Sequence, residues 1–511
     1  MTVSSTADPA GPEPTSPWRA FVSGLLAVGL ALGVAELIVG ASGASRSLVT
    51  SIGDWVIEVS PSGLVKWAIE LFGTKDKLVL VLSIVVVCLA VGGLVGVAAR
   101  RSPWLPPIVF VGFAAAAIVL AFQDPLANRA ASFAAAVAAA GVGLAALAIM
   151  LRTEAIGSND DRRLFLKTAG AAAVLGVAAA AVGRSMIDRM AVIADRAEIT
   201  LPFARSADPA LPAGAQASGA VPVITPNGEF YKIDTSLATP SVDLTTWRLK
   251  ITGLVDRELE FSYNDLLDME MDERIVTLSC VSNRVGGSLV GTANWLGIPL
   301  AELLDKAGVK PEASQIVGRS VDGFTVGFPT AAAYDGRDAM IAIGMNGEPL
   351  PLDHGFPARI VVAGLYGYVS ATKWLSEIEL TTWDAFDAYW IPRGWAKEGP
   401  IKTQSRIDTP RDGRSIAVGE NTIAGVAWAP NRGITRVEIQ IDGGAWQETT
   451  LAESIGDDGW RQWQLDWTAD PGAHEIVVRA TDGTGATQTA GLAAPRPDGA
   501  TGHHTITVNA G

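Results

Sequence analysis

The chain has 511 residues, too many for one domain, and 49% of them are hydrophobic with a mean hydropathy of +0.29, which indicates a membrane part. Residues 1–200 carry 15 basic and 14 acidic side chains, whereas residues 201–511 carry 24 basic and 39 acidic ones, a net charge of −15. This acidic second part argues against nucleic acid or anionic headgroups as a partner, and it fits a soluble domain or docking to a basic protein.

Apolar runs long enough to cross a bilayer are concentrated early in the chain. Four are clear, and a fifth is rich in alanine with one charge, Lys167, near its start. The five predicted spans are residues 20–42, 77–99, 104–122, 132–151 and 164–183. Residues 46–73 are broken by Pro61 and by charges, so we expect helices at the outer interface there. The predicted architecture is an all-α transmembrane bundle over residues 20–183, after an N-terminal cytoplasmic tail of residues 1–19.

Basic residues predict the orientation of this bundle. Arg100 and Arg101 follow the second span, and Arg152, Arg162 and Arg163 follow the fourth. Because loops rich in Lys and Arg stay in the cytoplasm, the N-terminus is expected inside and everything after about residue 184 outside. The sequence therefore predicts a multi-pass protein of the cytoplasmic membrane whose C-terminal part is extracytoplasmic.

The loop before the fifth span reads DRRLFLK. It resembles the twin-arginine export signal, which directs domains that have already folded, often around a cofactor, across the membrane. Ordinary positive-inside charge also explains Arg162 and Arg163. We favour the export interpretation, because the complete RRLFLK is followed by an alanine-rich apolar helix.

The exported part divides by composition and periodicity. Residues 184–222 are rich in Pro, Ala and Gly and predict a linker. From residue 223 to 398, strand-like runs such as RIVTLSC alternate with helical ones such as PLAELLDKAG, an α+β pattern. From 399 to 511, short alternating strands separated by turns predict an immunoglobulin-like β-sandwich, with tryptophans filling its core.

The counts of cysteine and histidine limit the redox chemistry. All four histidines follow residue 350, so no membrane helix supplies paired imidazoles for a haem, and there is no CxxCH motif. We therefore expect no haem. The two cysteines are Cys88, in an apolar run, and Cys280, so the exported part cannot form an internal disulfide.

Cys280 lies between the strand-like IVTLS and a polar turn that ends in glycine. Three interpretations are open from its chemistry. It is a buried inert thiol, or a nucleophile assisted by a base such as His354, or a metal ligand. One sulfur is too few for a zinc or iron–sulfur site, so a metal here needs a cofactor that brings further ligands.

The surroundings of Cys280 resemble the sulfite oxidase family of molybdopterin enzymes. The segments that carry this resemblance are TLSCVSNRVGG, GTANWLGIPLAELLDKAGV and HGFPARIVVAGLYGYVSATKWLSEIEL. Further on, GVAWAPNRGITRVEIQIDGG and PRPDGATGHHTITV resemble the dimerisation domain of that family. The resemblance covers about residues 222–510. It implies a sulfite-oxidase-type molybdopterin-binding domain at 223–398 and a dimerisation domain at 399–511.

The resemblance also implies roles for individual residues. Cys280 is the expected molybdenum ligand, and the dithiolene of one molybdopterin supplies two more sulfurs, which suits a soft thiolate ligand. With Cys280, the expected catalytic residues are Lys232 and Arg284. The expected contacts to the cofactor, besides Cys280, are Asn227, Phe230, Tyr231, Lys232, Ser320, Asp322, His354, Arg359, Ser370, Thr372 and Lys373.

The pattern departs from the animal and plant sulfite oxidases around the expected substrate pocket. Lys232, Val285 and Asn294 stand where those enzymes have arginines that hold the sulfite dianion. Because a pocket with fewer guanidinium groups binds a doubly charged oxyanion less well, sulfite is expected to be a weak substrate or none. The substrate class stays open between an oxyanion and an S-oxide.

The leading hypothesis is therefore a membrane-anchored molybdopterin oxidoreductase that transfers an oxygen atom and two electrons. Lacking a haem domain, it would exchange electrons with a separate carrier, and the resemblance implies a possible homodimer. The alternative hypothesis is a non-catalytic cell-surface binding protein that has kept the fold.

Overall fold

A computed structural model describes residues 16–42, 46–72, 75–153, 159–192, 195–207 and 210–511. The chain forms two compact units, one of residues 1–194 with 236–241 and the other of residues 195–235 with 242–511. Most of the predicted N-terminal tail lies outside the described residues.

The first unit is helical. Its α-helices are α1 (Pro17–Ala41), α2 (Leu48–Val59), α3 (Ser62–Phe72), α4 (Asp76–Ala99), α5 (Leu105–Gln123), α6 (Arg129–Thr153) and α7 (Asn159–Val192). Five of the described helices, α1 and α4 to α7, are long and apolar enough to cross a membrane, which confirms the five apolar helices predicted from the sequence. Helices α2 and α3 lie within residues 46–73, between the first two apolar helices, α1 and α4.

Glycines let α1 approach its neighbours closely. A Cβ atom at Gly24 would collide with the backbone of Gly92 in α4, and one at Gly33 would collide with the carbonyl of Gly176 in α7. At Gly40 a Cβ would lie 2.5 Å from the carbonyl oxygen of Gly183. Small residues at such crossings allow backbones to pack against each other, so α1 is the central helix of this unit.

A buried arginine organises the polar end of the helical unit. Arg46 is 4% exposed, and its Nη2 lies 2.9 Å from Asp54 Oδ2. Asp54 also accepts a hydrogen bond from the amide of Leu237 at 3.1 Å, and Lys77 Nζ donates to the Ser236 carbonyl at 2.6 Å. These bonds explain why residues 236–241 belong to the helical unit.

The second unit is rich in β-structure. Its described strands are β1 (Leu249–Gly253), β2 (Leu259–Phe261), β3 (Asp272–Ser279), β4 (Val290–Pro299), β5 (Gln315–Ser320), β6 (Thr325–Pro329), β7 (Ala339–Met345), β8 (Glu348–Pro349), β9 (Arg359–Val362), β10 (Leu375–Thr381), β11 (Gln404–Thr409), β12 (Ser415–Ile416), β13 (Gly419–Trp428), β14 (Ile434–Ile441), β15 (Gln447–Glu448), β16 (Thr450–Leu451), β17 (Arg461–Ala469), β18 (Gly472–Asp482) and β19 (His504–Ala510). Its helices are α8 (Tyr263–Leu267), α9 (Leu300–Ala307) and α10 (Gly367–Ser370), with 3₁₀ turns at Asp195–Glu198, Thr330–Ala333 and Leu352–His354.

Two sheets form the first half of this unit. One has the order β2-β1-β10-β5-β6, and the other runs β3-β4-β7-β8 with β9 also paired to β7. Short helices lie between the strands, which agrees with the predicted α+β pattern. The antiparallel ladder of β3 and β4 pairs Ser279 with Val290, so Cys280 begins the connection between the edge strand β3 and its neighbour β4, both largely buried.

Two more sheets form the C-terminal module, residues 399–511. Their orders are β11-β13-β17-β16 and β12-β19-β18-β14-β15. One apolar cluster joins them, with Ile423 and Trp463 from the first sheet and Val437, Ile476 and Ile506 from the second. Alternating strands thus bury one face each against a shared core, as their period-two pattern predicts.

The segment predicted as a linker, 184–222, is not a free tether. Its first residues continue α7 to Val192. Further along, Ala217 is buried, its amide donates to Gln462 Oε1 at 2.7 Å, and Gln462 Nε2 donates to the Val221 carbonyl at 2.6 Å. A glutamine on β17 therefore satisfies the backbone of a Pro/Ala/Gly-rich stretch, which composition alone could not indicate.

Candidate active site

Cys280 lies at the start of a tight connection between β3 and β4. The Cys280 amide donates to the Leu289 carbonyl at 2.9 Å, and the Asn283 amide donates to the Cys280 carbonyl at 3.0 Å. The Asn283 side chain closes the turn by accepting from the Leu289 amide at 2.9 Å. These bonds define where the sulfur points.

The thiol itself is buried and weakly solvated. Cys280 is 8% exposed, and its Sγ accepts a hydrogen bond from the Ser282 amide at 3.4 Å. Burial raises the pKa of the Cys280 thiol, and the Ser282 amide opposes the rise only in part. A cation bound to the sulfur would displace the proton, whereas solvent alone would not.

Aromatic rings form a wall beside this turn. Phe230 is stacked on Tyr231 with ring centroids 5.2 Å apart, and it meets Trp295 and His354 edge-to-face at 5.8 and 5.5 Å. A Cβ at Gly291, next to Val290 of the β3–β4 ladder, would lie 2.9 Å from the Phe230 ring. The predicted cofactor residues Phe230, Tyr231 and His354 thus come together.

His354 is a neutral imidazole that holds the Asn227 segment. It is 1% exposed, and its Nε2 lies 2.9 Å from the Asn227 carbonyl oxygen, so Nε2 carries the proton and donates. Burial, together with the positive charges of Arg359 and Lys373, lowers the pKa of His354 to about 4. Asn227 is in turn held by its side chain, which accepts from Asn346 Nδ2 at 2.7 Å.

Arg359 is the buried cation of the site. It is 5% exposed, its guanidinium lies 4.9 Å from the centroid of the Trp295 ring, and its Nη1 donates to the His354 carbonyl at 3.2 Å. Its buried Nε has no hydrogen-bond partner. Burial lowers the pKa of Arg359 to about 10, so the group stays charged at neutral pH. A buried charge with an unused donor is costly unless an anion or acceptor binds there.

The two lysines of the site are paired with carboxylates. Lys373 Nζ donates to Asp234 Oδ2 and to the Asp353 carbonyl, both at 2.9 Å, and it lies over the Trp374 ring. Lys232, which is 46% exposed, forms an ion pair with Asp353 at 2.5 Å. Lys232 therefore lies at the rim with its charge offset, whereas Lys373 is largely buried.

Of the remaining predicted residues, Thr372 is buried and its hydroxyl has no hydrogen-bond partner, whereas the others are bonded locally or exposed. Ser370 Oγ donates to the Tyr366 carbonyl at 3.2 Å within α10, and the buried Thr372 hydroxyl lies against Gly318 of β5. Ser320 and Asp322 bond within the β5–β6 turn, which adjoins Lys373 because the Val321 amide donates to the Trp374 carbonyl at 2.9 Å. Arg284 is exposed on the turn after Cys280.

Sequence reasoning missed several partners of these residues. The Trp295 ring contacts both Arg359 and Phe230. Asp234 pairs with Lys373, and Asp353 pairs with Lys232. Tyr366 is buried, and burial chiefly, with Cys280 nearby, raises its pKa to about 12. Asp234 lies two residues after Lys232, and Asp353 directly precedes His354. This closeness in sequence to predicted site residues could have identified both aspartates as candidates.

These residues fit a molybdopterin cofactor by their chemistry. Within the described parts of the chain, no group of three or more His, Cys, Asp or Glu side chains is placed to hold a metal ion, so the Cys280 sulfur needs ligands from elsewhere. The unpartnered Nε of Arg359 is a donor for an anionic or polar group, and the rings of Phe230 and Trp295 suit a flat heterocycle. The donor set matches a pterin that brings its own sulfurs.

Comparison with known proteins agrees with this site. Residues 236–390 match the oxidoreductase molybdopterin binding domain, and residues 398–494 match the Mo-co oxidoreductase dimerisation domain. The chain is 32% identical to mitochondrial sulfite oxidase of Macaca fascicularis, covering 51% of this chain and 56% of that protein. It is 28% identical to nitrate reductase [NADH] of Solanum lycopersicum, covering 49% and 34%.

Among solved structures, the sulfane dehydrogenase SoxCD from Paracoccus pantotrophus is 27% identical, with a TM-score of 0.47 over 52% of this chain and 75% of that one. The chain spans little more than half the length of the mammalian sulfite oxidases that it matches. The two matched regions follow one another and, apart from residues 236–241, lie in the second unit; the first includes Cys280 and Arg359. The chain therefore contains a molybdopterin-binding oxidoreductase domain followed by a Mo-co oxidoreductase dimerisation domain, and over about half of its length it is similar to sulfite oxidases.

Proposed function

We propose that this protein is a membrane-anchored oxidoreductase whose molybdenum is bound by Cys280 on the outer face of the cytoplasmic membrane. The observation that carries the proposal is the meeting of three features in one place. A buried thiol at the end of the buried strand β3 lies beside an aromatic wall, and that wall supports a buried arginine with an unused donor. Burying a charged arginine with an unsatisfied donor costs stability, which favours a ligand as the purpose of this arrangement.

The residues of the chain have distinct tasks in this proposal. Cys280 holds the metal, and the turn closed by Asn283 directs its sulfur. Arg359 and Lys373 bind the anionic and polar parts of the pterin, while His354, which is neutral, fixes the Asn227 segment against it. When bound, the cofactor supplies two-electron redox chemistry with oxygen-atom transfer. Phe230 and Tyr231 exclude water from one side of the site.

The substrate is a small oxyanion or an S-oxide, and sulfite is expected to be a poor one. Lys232 has its charge offset by Asp353, Val285 brings no charge, and Asn294 brings an amide whose buried Oδ1 is unpaired. Exposed Arg284 is then the cation of the turn that is free to meet an anionic substrate. We expect sulfite-dependent reduction of an artificial electron acceptor to be at least about tenfold slower than oxidation of a reduced artificial electron donor by the best S-oxide substrate. Sulfite turnover at a rate comparable to that of animal sulfite oxidases would contradict this.

The remaining parts of the proposal concern the setting of the site. The helical unit anchors the chain in the membrane with residues after about 184 outside, electrons pass to or from a separate carrier, and no haem takes part. Residues 223–398 form the catalytic domain. The strand orders of module 399–511 support an immunoglobulin-like sandwich, and its match to a dimerisation domain supports a homodimer.

Metal analysis of the natively exported protein tests the proposal. We expect about one molybdenum per chain, lost in a Cys280→Ser variant. Cys88→Ser is the matched control, because it removes the other cysteine and should leave the metal in place. A protein without molybdenum, whose Cys280 reacts freely with thiol reagents, would instead be a non-catalytic surface protein with the same fold.

A further inference from the structure

The turn that carries Cys280 is held from outside by the C-terminal module. Arg406 of β11 is 9% exposed, and its Nη1 donates to the Gly287 carbonyl at 3.0 Å. The guanidinium is fixed by Asp408, whose Oδ1 lies 2.6 Å from Arg406 Nε. A charged donor that is itself held in place makes a strong, directional bond to the far end of the turn.

His504 of β19 covers the neighbouring residue of the same turn. Gly286 has φ +73°, and a Cβ atom there would collide with the His504 ring. His504 Nδ1 accepts from the Ile407 amide at 3.0 Å, which fixes the plane of the ring. Burial, and next the charge of Arg406, lower the pKa of His504, and the Cδ2–Nε2 edge of its ring faces Gly286.

The strand that leads to Cys280 receives support from the same module. The Thr277 amide of β3 donates to the Asp458 carbonyl at 2.9 Å. The Trp460 amide donates to Thr277 Oγ1 at 2.7 Å. Residues of the C-terminal module thus form hydrogen bonds to Thr277, three positions before Cys280, and to Gly287, seven positions after it, and they pack against Gly286.

Internal bonds alone leave this turn incompletely restrained. Asn283 links Cys280 to Leu289, but residues 284–288 are bonded within the turn only from the Gly287 amide to the Arg284 carbonyl, at 2.9 Å. Two of these residues are glycines, which gain most from external restraint because they lose most freedom on ordering. The contacts of Arg406 and His504 fall on those two glycines.

We propose that Arg406 and His504 are positioning residues for the Cys280 sulfur, so the C-terminal module supports the metal site in addition to any role in dimerisation. This inference rests on the proposed function, in which Cys280 binds molybdenum. If it holds, the direction and accessibility of the sulfur depend on side chains more than a hundred residues away in the sequence.

The first test needs no metal. Full-length protein carrying Cys88→Ser is prepared without cofactor, so Cys280 is its one thiol, and the rate of alkylation by iodoacetamide is measured below the unfolding temperature. Arg406→Met and His504→Leu are expected to raise that rate about tenfold or more, because loss of a charge-assisted bond or a packed ring opens the turn locally. Arg406→Lys, which can still donate to Gly287, should stay within about threefold of the parent.

The matched control is Arg436→Met in the same module. Arg436 is 45% exposed, and its Nε lies 3.6 Å from Glu438 Oε2. Cys280 in the Arg436→Met variant should therefore be alkylated at the same rate as in the parent. In cofactor-loaded protein, Arg406→Met should also shift the sulfur-to-molybdenum charge-transfer band, whereas Arg436→Met should not.

Two outcomes separate this inference from the proposal on which it rests. If loading with molybdenum fails to protect Cys280 from alkylation in the parent, the ligand assignment is wrong. If loading does protect it, but Arg406→Met and His504→Leu alkylate at the parental rate and keep the parental spectrum, the positioning role is overturned. A faster rate for Arg436→Met as well would also overturn it, since the effect would then be general loosening of the module.

Discussion

Burial, rather than pairing with an opposite charge, determines the protonation states of His354, Arg359 and Cys280. His354 gives up its charge because it is enclosed and near two cations, while Arg359 keeps its charge because even a pKa of about 10 leaves it protonated at neutral pH. Cys280 keeps its proton because burial raises the pKa of its thiol. The protein groups at the site are therefore a neutral thiol, the buried charge of Arg359, and the buried Lys373 paired with Asp234.

The histidine makes a testable contribution to the pH dependence of stability. The pKa of His354 is about 4 in the folded protein against an ordinary value of about 6.5, so the unfolded chain binds more protons between these values. The stabilisation is present above pH 6.5 and is lost as the pH falls towards 4. We expect the cofactor-free wild type to lose up to about 3 kcal/mol relative to His354→Gln over this range.

Thermal unfolding of both proteins in detergent, at several pH values between 7.5 and 4, measures this difference. His474→Gln is the control, because Asp442, 2.7 Å away, raises the pKa of His474. Its contribution has the opposite sign, being present at low pH and lost as the pH rises. Parallel pH curves for wild type and His354→Gln would show that His354 is not kept neutral by burial.

At the scale of elements, close backbone contact in the helical unit depends on where each glycine lies. Gly183 and Gly170 both belong to α7, but a side chain at Gly183 would collide with the backbone of Glu36 in α1, whereas Gly170 has open space around it. The glycine content of the sequence does not distinguish the two, because the difference lies in the neighbouring helix.

Leucine substitution tests this contact. Gly183→Leu should force α1 and α7 apart and destabilise the helical unit by about 1–3 kcal/mol, as overpacking does elsewhere. Gly170→Leu should leave stability unchanged within about 0.5 kcal/mol. Thermal unfolding of full-length protein in detergent, followed by size-exclusion chromatography, compares the two. Equal midpoints for both variants would mean that α1 and α7 do not pack at Gly183.

At the scale of the whole molecule, the motif at Arg162 and Arg163 bears on whether the acidic part, residues 201–511, is exported and by which pathway. Replacing both arginines by lysine keeps the positive charge of the loop and removes the guanidinium pair. If export uses the twin-arginine pathway, this change should keep most of the C-terminal part inside the cell. The fraction of the protein that protease added to intact cells can cleave should then fall at least tenfold. Equal export of the two proteins would indicate ordinary positive-inside insertion.

Much of the fold could be predicted because it depends on local patterns. The five apolar helices follow from run length, β3 and β9 follow from apolar runs beside turn residues, and the strands of module 399–511 follow from period-two alternation. The linker was predicted incorrectly in part, since a Pro/Ala/Gly-rich composition does not reveal that Gln462 binds its backbone.

By itself, the sequence determined the kind of metal site that is possible. Residues 201–511 contain one cysteine, and no histidine lies before residue 350, so a thiolate metal site in this part calls for a cofactor that brings further ligands. Only the tertiary structure decided which charges are offset and what holds the turn. Lys232 with Asp353, Lys373 with Asp234 and Arg406 with Gly287 join residues 121, 139 and 119 positions apart. No local period encodes such contacts, because they depend on packing between sheets that form separately along the chain.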